Sequence, residues 1–340
     1  MIVRLKDIAE RAGVSVMTVS KVMRDTKDVA AATKVRIRKL AAEMGYVPDT
    51  FARSLRTGFT RLFGLIISTI TNPIFARTAL AIEEGAHQMG YGIVLGHSLN
   101  TPEREEACLR RFLSLRVEGI FVSPVYRLGR VAPLYAELRK RSIPTVILGH
   151  HAPFCSQFPA VETDDTAASK AITKHLIQLG HRRIAFLAGP GAAPWSMERT
   201  TGYRQALAEA QIEPEDSLIF NAGGNLESGE KAGAQLLAEA ARPTAIQAVN
   251  DLVAIGAATV LLRNGFRIPE DFSITGFGNI LGSEIFRVPL TTVRQPKYRL
   301  GVAAMETMAR LLGGESPVSR RLPAELLARE SSGPPATIAS

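Results

Sequence analysis

GVSVMTVSKVM, residues 13–23, is the stretch on which the fold turns. Ser15, Thr18, Ser20 and Lys21 share it with Val16, Val19, Val22 and Met23. A helix sunk wholly in a core would not keep four polar side chains, and a solvated helix would not need the valines. Val19, Val22 and Met23 fall at i, i+3 and i+4, one face of a helix, and Ser15 is a good N-cap for it. Upstream, Leu5, Ile8, Ala9 and Ala12 recur at helical spacing, and Gly13 ends that run as a left-handed C-cap. Downstream, Ile37, Leu40, Ala41 and Met44 repeat the pattern as far as Gly45, with Val35 off the stripe and Pro48 beyond. Three short helices with a three-residue turn between the first two make a helix-turn-helix over residues 1–47. Ser15, Val16, Met17, Thr18, Ser20 and Lys21 lie on the outer, N-terminal half of its second helix, the part such motifs lay in the major groove. Ser15 and Thr18 suit phosphate oxygens and Lys21 a guanine edge, whereas Val16 and Met17 suit apolar contacts such as a thymine methyl. The alternative is a generic three-helix bundle.

The charge distribution favours the first reading. The chain of 340 residues carries a net +9, but residues 1–63 hold 13 Lys or Arg against 6 Asp or Glu, and the rest hold 28 against 26. A basic, periodic head on a nearly neutral body points to a polyanionic partner, double-stranded DNA. No apolar run reaches the ~18 residues needed to cross a bilayer. The opening MIVRLKDIAERA is too charged for a secretory signal. Cys108 and Cys155 make neither a metal spacing nor a disulfide framework, which fits a reducing cytoplasm with no metal or cofactor.

Beyond residue 61, apolar β-branched runs alternate with helical stretches: 62–69, 92–98, 119–124, 145–150, 183–189, 217–223, 244–250 and 272–278. Strand–helix alternation implies parallel sheets covered on both faces. Eight strands at these spacings divide into two Rossmann-like lobes, with one break near Glu162–Asp165 and a second near Leu290–Pro296. The expected division is a helix-turn-helix domain at 1–47, a linker at 48–61 and a body at 62–332. Within the body, lobe one takes 62–162 and 292–320, lobe two 163–291 and 321–332, and 333–340 form a disordered tail. Ligands of open α/β sheets sit at the carboxyl ends of the strands, here between the lobes. Two other classes share such a body. A nucleotide-dependent enzyme would need a full phosphate-cradling loop, which neither GFGNILG (276–282) nor GPGAAP (189–194) supplies. A solute-binding protein of a transporter would carry an export signal and no basic head.

DIAERAGVSVMTVSKVM, followed by GYVPDTFARSLRTG, resembles the DNA-binding head of the lactose/galactose repressor family of bacterial transcription regulators. The resemblance continues through TNPIF (71–75), LGHRRIAFLAGP (179–190), ERTTGY (198–203), VNDLVAIGA (249–257), IPEDFSITGFGN (268–279) and LTTVRQP (290–296). It implies a homodimeric, periplasmic-binding-protein-like regulator, most often a repressor, whose operator affinity follows a small-molecule effector. It also implies that the linker forms a helix with Leu55 wedged into the central base step and Ala52 and Arg56 along the minor groove. The effector contacts it implies are Phe75, Trp195, Arg199, Asn250, Asp251 and Gln295. In terms of chemistry, Trp195 offers a flat apolar face or simply packs, Arg199 a fork for hydroxyls or a carboxylate, and Asn250 a donor and an acceptor. Asp251 either touches ligand or caps the helix starting at Leu252.

Departures from the family pattern matter too. Lys21 stands where the family usually has Arg, and Ala30 or Ala31 where it has a hydroxyl cap, a loss of about 1 kcal/mol. Gly149 and Gly278 stand where sugar-binding members often place aspartates. With His97, His150 and His151 near strand ends, the cleft is expected to be less negative and its effector a sugar, sugar acid or sugar phosphate, the anionic forms preferred. No C-terminal heptad is evident, so a dimer is expected rather than a tetramer.

Overall fold

The computed structural model describes residues 3–47, 58–129, 132–239 and 242–336, in two units divided at Thr60–Arg61. The expected linker helix, with Ala52, Leu55 and Arg56, lies outside the described residues.

In the head, α1 (Leu5–Ala12) closes at Gly13, whose φ is 63°. Ser15 caps α2 (Val16–Met23) by accepting the Thr18 N–H at 3.1 Å. α3 (Ala31–Glu43) starts at Ala30 with no side-chain cap, as the missing hydroxyl predicts. Ile8, Ala9, Val19, Val22, Ile37 and Ala41 form the head's buried cluster, with Met23 at its margin. Each large side chain removed from water there contributes roughly 1.5–3 kcal/mol, enough to hold three helices that are individually too short to persist.

In the body, all eight apolar runs contain strands. β1 (Leu62–Ile67), β2 (Gly92–His97), β3 (Gly119–Val122), β4 (Thr145–Leu148) and β5 (Ala160–Thr163) build the parallel sheet of lobe one. β6 (Ile184–Ala188), β7 (Ile219–Asn221), β8 (Ala245–Ala248) and β9 (Ser273–Thr275) build that of lobe two, in the order β7-β6-β8-β9. Period-two side-chain alternation shows why the runs are apolar throughout. Phe63, Leu65 and Ile67 of β1 pack under α4 (Pro73–Gln88), whereas Ile66 faces α5 (Pro102–Ser114) and α6 (Pro133–Lys140). Lobe two is covered by α7 (Asp165–Gln178), α8 (Pro194–Glu209), α9 (Leu226–Ala238) and α10 (Asp251–Arg263) around Phe186, Tyr203, Ile246, Val253 and Ile274. A short α11 (Leu281–Ile285) follows, and α12 (Lys297–Leu312) returns to pack on α4's face of lobe one.

The return segments correct two expectations. β10 (Thr292–Arg294) extends lobe two, through bridges from Thr291 to Thr275 and from Arg294 to Gly278. β11 (Arg320–Leu322) is the edge strand of lobe one beside β5, so the last crossing comes after Leu322 and not at residue 321. β12 (Glu325–Leu327) then pairs antiparallel with β10. The stretch expected to begin a loose tail is held. Ser331 is fully buried and donates to the Ile274 carbonyl at 2.6 Å, and the Gly333 N–H donates to Ser273 Oγ at 3.0 Å. Buried backbone polar groups need partners, and this segment supplies them along the β9 edge.

Candidate DNA interface and effector cleft

On α2 the outer face is mixed. Val16 and Met17 are exposed, the latter at 63%. The Ser15 and Thr18 hydroxyls lie 2.8 Å apart and bond each other, in addition to the Ser15 cap. The Ser20 carbonyl accepts from Arg24 Nε at 3.1 Å. Lys21 Nζ contacts Asp28 Oδ2, and Thr26 Oγ1 donates to the other oxygen of the same carboxylate. The hydrogen bonds from Lys21 and Thr26 hold the Asp28 carboxyl down at about 2. Asp25 takes Lys34 at 3.1 Å and Arg38 at 2.6 Å.

The cleft is built where chain segments cross between lobes. β5 ends at Thr163, whose hydroxyl donates to Asp165 Oδ1, and Gln295 Nε2 donates to Thr163 Oγ1 at 3.0 Å. Asp165 Oδ2 accepts from Arg199 Nε at 2.9 Å and lies 2.7 Å from its NH2 group. The Arg199 NH1 group donates to the Val249 carbonyl at 2.6 Å. The guanidinium is sandwiched over Phe277, 3.7 Å from the ring centre, with Trp195 at 5.0 Å. Arg199 is thus a buried bolt: its side chain is 6% exposed and its charge is matched by Asp165.

The other expected effector residues divide in the same way. Phe75 is partly buried against the core of lobe one and Trp195 against that of lobe two. Asn250 caps α10 through the Val253 N–H at 2.8 Å and donates to the Gly224 carbonyl at 3.0 Å. Asp251 is held differently. It is 1% exposed, and its oxygens accept from Thr292 Oγ1 and the Ile280 N–H. Burial pushes its carboxyl up, against those two hydrogen bonds and the fields of Lys297 and Arg199. It ties the Ile280 N–H to Thr292 of β10, and the cap of the helix is Asn250. Gln295 Oε1, in contrast, is buried with no partner among the described residues.

Glu198, Arg321 and Lys297 escaped sequence reasoning. His150, singled out in the sequence and just past β4, brings Nε2 to 3.2 Å from Oε2 of Glu198 on α8. Both atoms are buried and not aligned as a hydrogen bond, so the contact is one of charge. Arg321 of β11 reaches Glu162 Oε1 at 2.8 Å and Glu198 Oε1 at 2.5 Å, so Glu198 is bound from lobe one twice. Lys297, at the start of α12, donates to the Gly278 and Asn279 carbonyls at 2.7 and 2.6 Å. Burial lowers its pKa, against the field of Asp251. These long-range pairs leave no local signal.

Glycine at 278 now has a reason: its φ is +134°, and Gly149 stands at +111°. Both lie in backbone regions that disfavour a side chain, so an aspartate at either place would be strained. Among the histidines singled out, His151 Nε2 bonds the Phe158 carbonyl at 2.7 Å, and His97 Nε2 is buried without a partner among the described residues. A separate hollow of about 300 Å³ lies in lobe two against Gly189, Met197, Thr200 and Arg204, and no crossover residue lines it.

The His150–Glu198 contact sets a pH dependence. Burial opposes a charged imidazole, but the Glu198 contact and the fields of Asp165, Glu198 and Glu162 outweigh it and lift His150 above 6.5. Burial also pushes Glu198 up, yet His150 and Arg321 bring it down from 4.5 to about 2. A raised imidazole stabilises the fold fully below its ordinary 6.5 and loses that contribution as pH rises through the raised value. The depressed carboxylate contributes above 4.5 and loses it as pH falls toward 2. Stabilisation of the lobe junction is therefore expected to be greatest between pH 4.5 and 6.5. Melting curves from pH 5 to 9 check this: the margin of the wild type over Glu198→Gln is expected to shrink as pH rises, and parallel curves would contradict it.

A three-helix head whose second helix exposes Val16, Met17 and Lys21, together with a two-lobed α/β body whose crossings carry buried polar groups, has the makings of a ligand-responsive DNA-binding protein. Residues 4–49 match the model of the bacterial regulatory proteins of the lacI family, and residues 173–332 match the periplasmic binding protein-like domain. The HTH-type transcriptional repressor PurR of Vibrio atlanticus is 35% identical over 309 residues, 89% of this chain and 90% of its own. The regulator DegA of Bacillus subtilis is 32% identical over 330 residues, 96% and 97%. The chain belongs to the lacI family of bacterial regulatory proteins, and is a transcription regulator and not an enzyme. Among solved structures, the lac repressor dimer bound to operator and the anti-inducer ONPF superposes with a TM-score of 0.87 at 27% identity, covering 98% of this chain and 100% of that one. The regulator CelR in complex with cellobiose gives 0.73 at 28%, covering 97% and 99%. No described helix is long and apolar enough to cross a membrane.

Proposed function

We propose that the chain is a cytoplasmic, homodimeric repressor that reads operator DNA with α2 and responds to a neutral sugar or related polyol held between its lobes. Ser15, Val16, Met17, Thr18, Ser20 and Lys21 form the major-groove surface, and Ala52, Leu55 and Arg56 of the linker reach the minor groove. Leu80 of α4 and Tyr298 and Val302 of α12 leave apolar surface exposed on neighbouring helices, a face suited to a second copy. Closure or opening of the lobes changes how the two heads are presented, so effector and operator affinities are reciprocally coupled.

One observation carries the choice of effector. The acid group expected earlier was to be met by Arg199, but that fork is engaged by Asp165 and Val249. What stays open at the crossings is an acceptor, Gln295 Oε1, buried without a partner among the described residues, whereas the Glu198 carboxylate is taken up by Arg321 and His150. Such a buried amide oxygen calls for a hydroxyl donor and offers nothing to an anion. The cellobiose of the CelR complex is a neutral sugar of this kind. Trp195 and Phe75 supply the apolar walls, and Asn250 orients the second-lobe rim.

Calorimetric titration of the full chain with a panel of neutral sugars and the corresponding sugar acids tests the reading. Heat of binding is expected from a neutral member and not from its acid; binding of acids alone would overturn it.

A further inference from the structure

We propose that Asp28 is a specificity-determining residue: through its contact with Lys21 it directs that side chain to base edges and away from phosphates. The inference rests on the reading of α2 as the DNA-recognition helix.

Three features of the turn after α2 argue for it. Asp28 meets Lys21 seven residues back, beyond the end of the helix, so the contact is not the routine one between neighbouring turns. The carboxylate is itself fixed, because Thr26 Oγ1 donates to Oδ1 while the Thr26 N–H donates to the Lys21 carbonyl at 3.2 Å. Lys21 and Asp28 nonetheless remain solvent-accessible, with side chains 39% and 52% exposed, so both confront whatever α2 binds.

The physical consequence follows from the chemistry of an ammonium group. Lysine has three donors on a flexible stem and is by default a point charge for any phosphate. Asp28 engages one donor and restricts the stem, leaving two for the O6 and N7 acceptors of a guanine. A phosphate drawn to Lys21 would also meet the negative carboxylate, whereas a base edge would not carry that charge. On a random duplex Lys21 therefore stays with Asp28 and adds little, and on the operator it reads a base while keeping its carboxylate contact. Affinity for non-specific DNA is held down more than affinity for the operator, and the ratio of the two is what Asp28 sets.

The test uses the full chain, a duplex enriched from a random pool, and a scrambled duplex of the same length and composition. Asp28→Asn is expected to tighten binding to the scrambled duplex about fivefold, the worth of one exposed charge contact. Its salt slope should steepen by about 0.9, one extra phosphate neutralised. Affinity for the enriched duplex should change by less than about twofold, and Asp28→Glu should retain the wild-type ratio. Glu10→Gln, an exposed carboxylate on α1, controls for the lost charge, and Lys21→Ala/Asp28→Asn should show the same ratio as Lys21→Ala. An unchanged ratio in Asp28→Asn, or an equal fall in Glu10→Gln or in the Lys21→Ala background, overturns the proposal. If Lys21→Ala by itself leaves the ratio intact, the assignment of α2 fails and the proposal falls with it, which is a distinguishable result.

Discussion

Replacing Arg199 by alanine is expected to cost about 3–5 kcal/mol of unfolding free energy, because it leaves the Asp165 carboxylate buried without its cation. Asp165 is fully buried and Arg199 nearly so, and the guanidinium also bonds the Val249 carbonyl and fills the space between Trp195 and Phe277. For a body of this size the loss corresponds to a fall in melting temperature of about 6–20 °C. Sequence reasoning alone gives another outcome, a folded protein that has lost effector affinity and kept its DNA binding. Differential scanning of the wild type, Arg199→Ala and the double variant Arg199→Met/Asp165→Asn separates the two. The single change should melt early, and removing both charges should restore part of the loss, since the penalty lies in the unpaired charge. An Arg199→Ala protein that melts like the wild type would return Arg199 to the ligand surface.

The second large effect is confined to the head. Lys21→Ala should weaken binding to an enriched duplex by about 10- to 100-fold, the worth of a good side-chain contact to a guanine edge. Lys21 lies outside the buried cluster of the head, which is formed by Ile8, Val19, Val22 and Ile37 among others. The melting temperature and the heat of sugar binding should therefore stay as in the wild type. Anisotropy titrations with the enriched duplex measure the first quantity, and scanning and titration calorimetry the other two. A variant that binds the duplex as tightly as the wild type would remove α2 from the interface.

The sequence made the head legible because every part of its argument is local. The cap at Ser15, the stop at Gly13, and the spacing of Val19 and Val22 all operate within one or two helical turns. Eight of the body's strands, the three-residue β7 and β9 among them, were legible for a related reason, since mostly buried strands read as apolar runs, whereas β5 (AVET) does not read as one. β10, β11 and β12 are three residues each, and RRL and ELL carry too little apolar character to stand out. Their pairing is set by return crossings, which no window on the sequence reveals. The residues to which the resemblance pointed lie at the crossings, but the contacts they make were not legible. Glu198 and Arg321 are 123 positions apart and Asp251 and Thr292 are 41 apart, so only the folded topology brings them together. A charged residue beside a cleft can face solvent, ligand or another lobe. In this chain Arg199 and Asp251 turn inward, and Glu198 joins the lobes.

The coupling of a DNA-reading head to a sugar-responsive body is tested most directly by one titration: the full chain against a fluorescent enriched duplex over a range of salt, with and without a saturating sugar that gives heat in calorimetry. Binding selective over a scrambled duplex, falling linearly with salt on logarithmic axes and shifted by the sugar by about fivefold or more, is the predicted result. Equal binding to both duplexes, or an operator affinity that the bound sugar leaves unchanged, would contradict it.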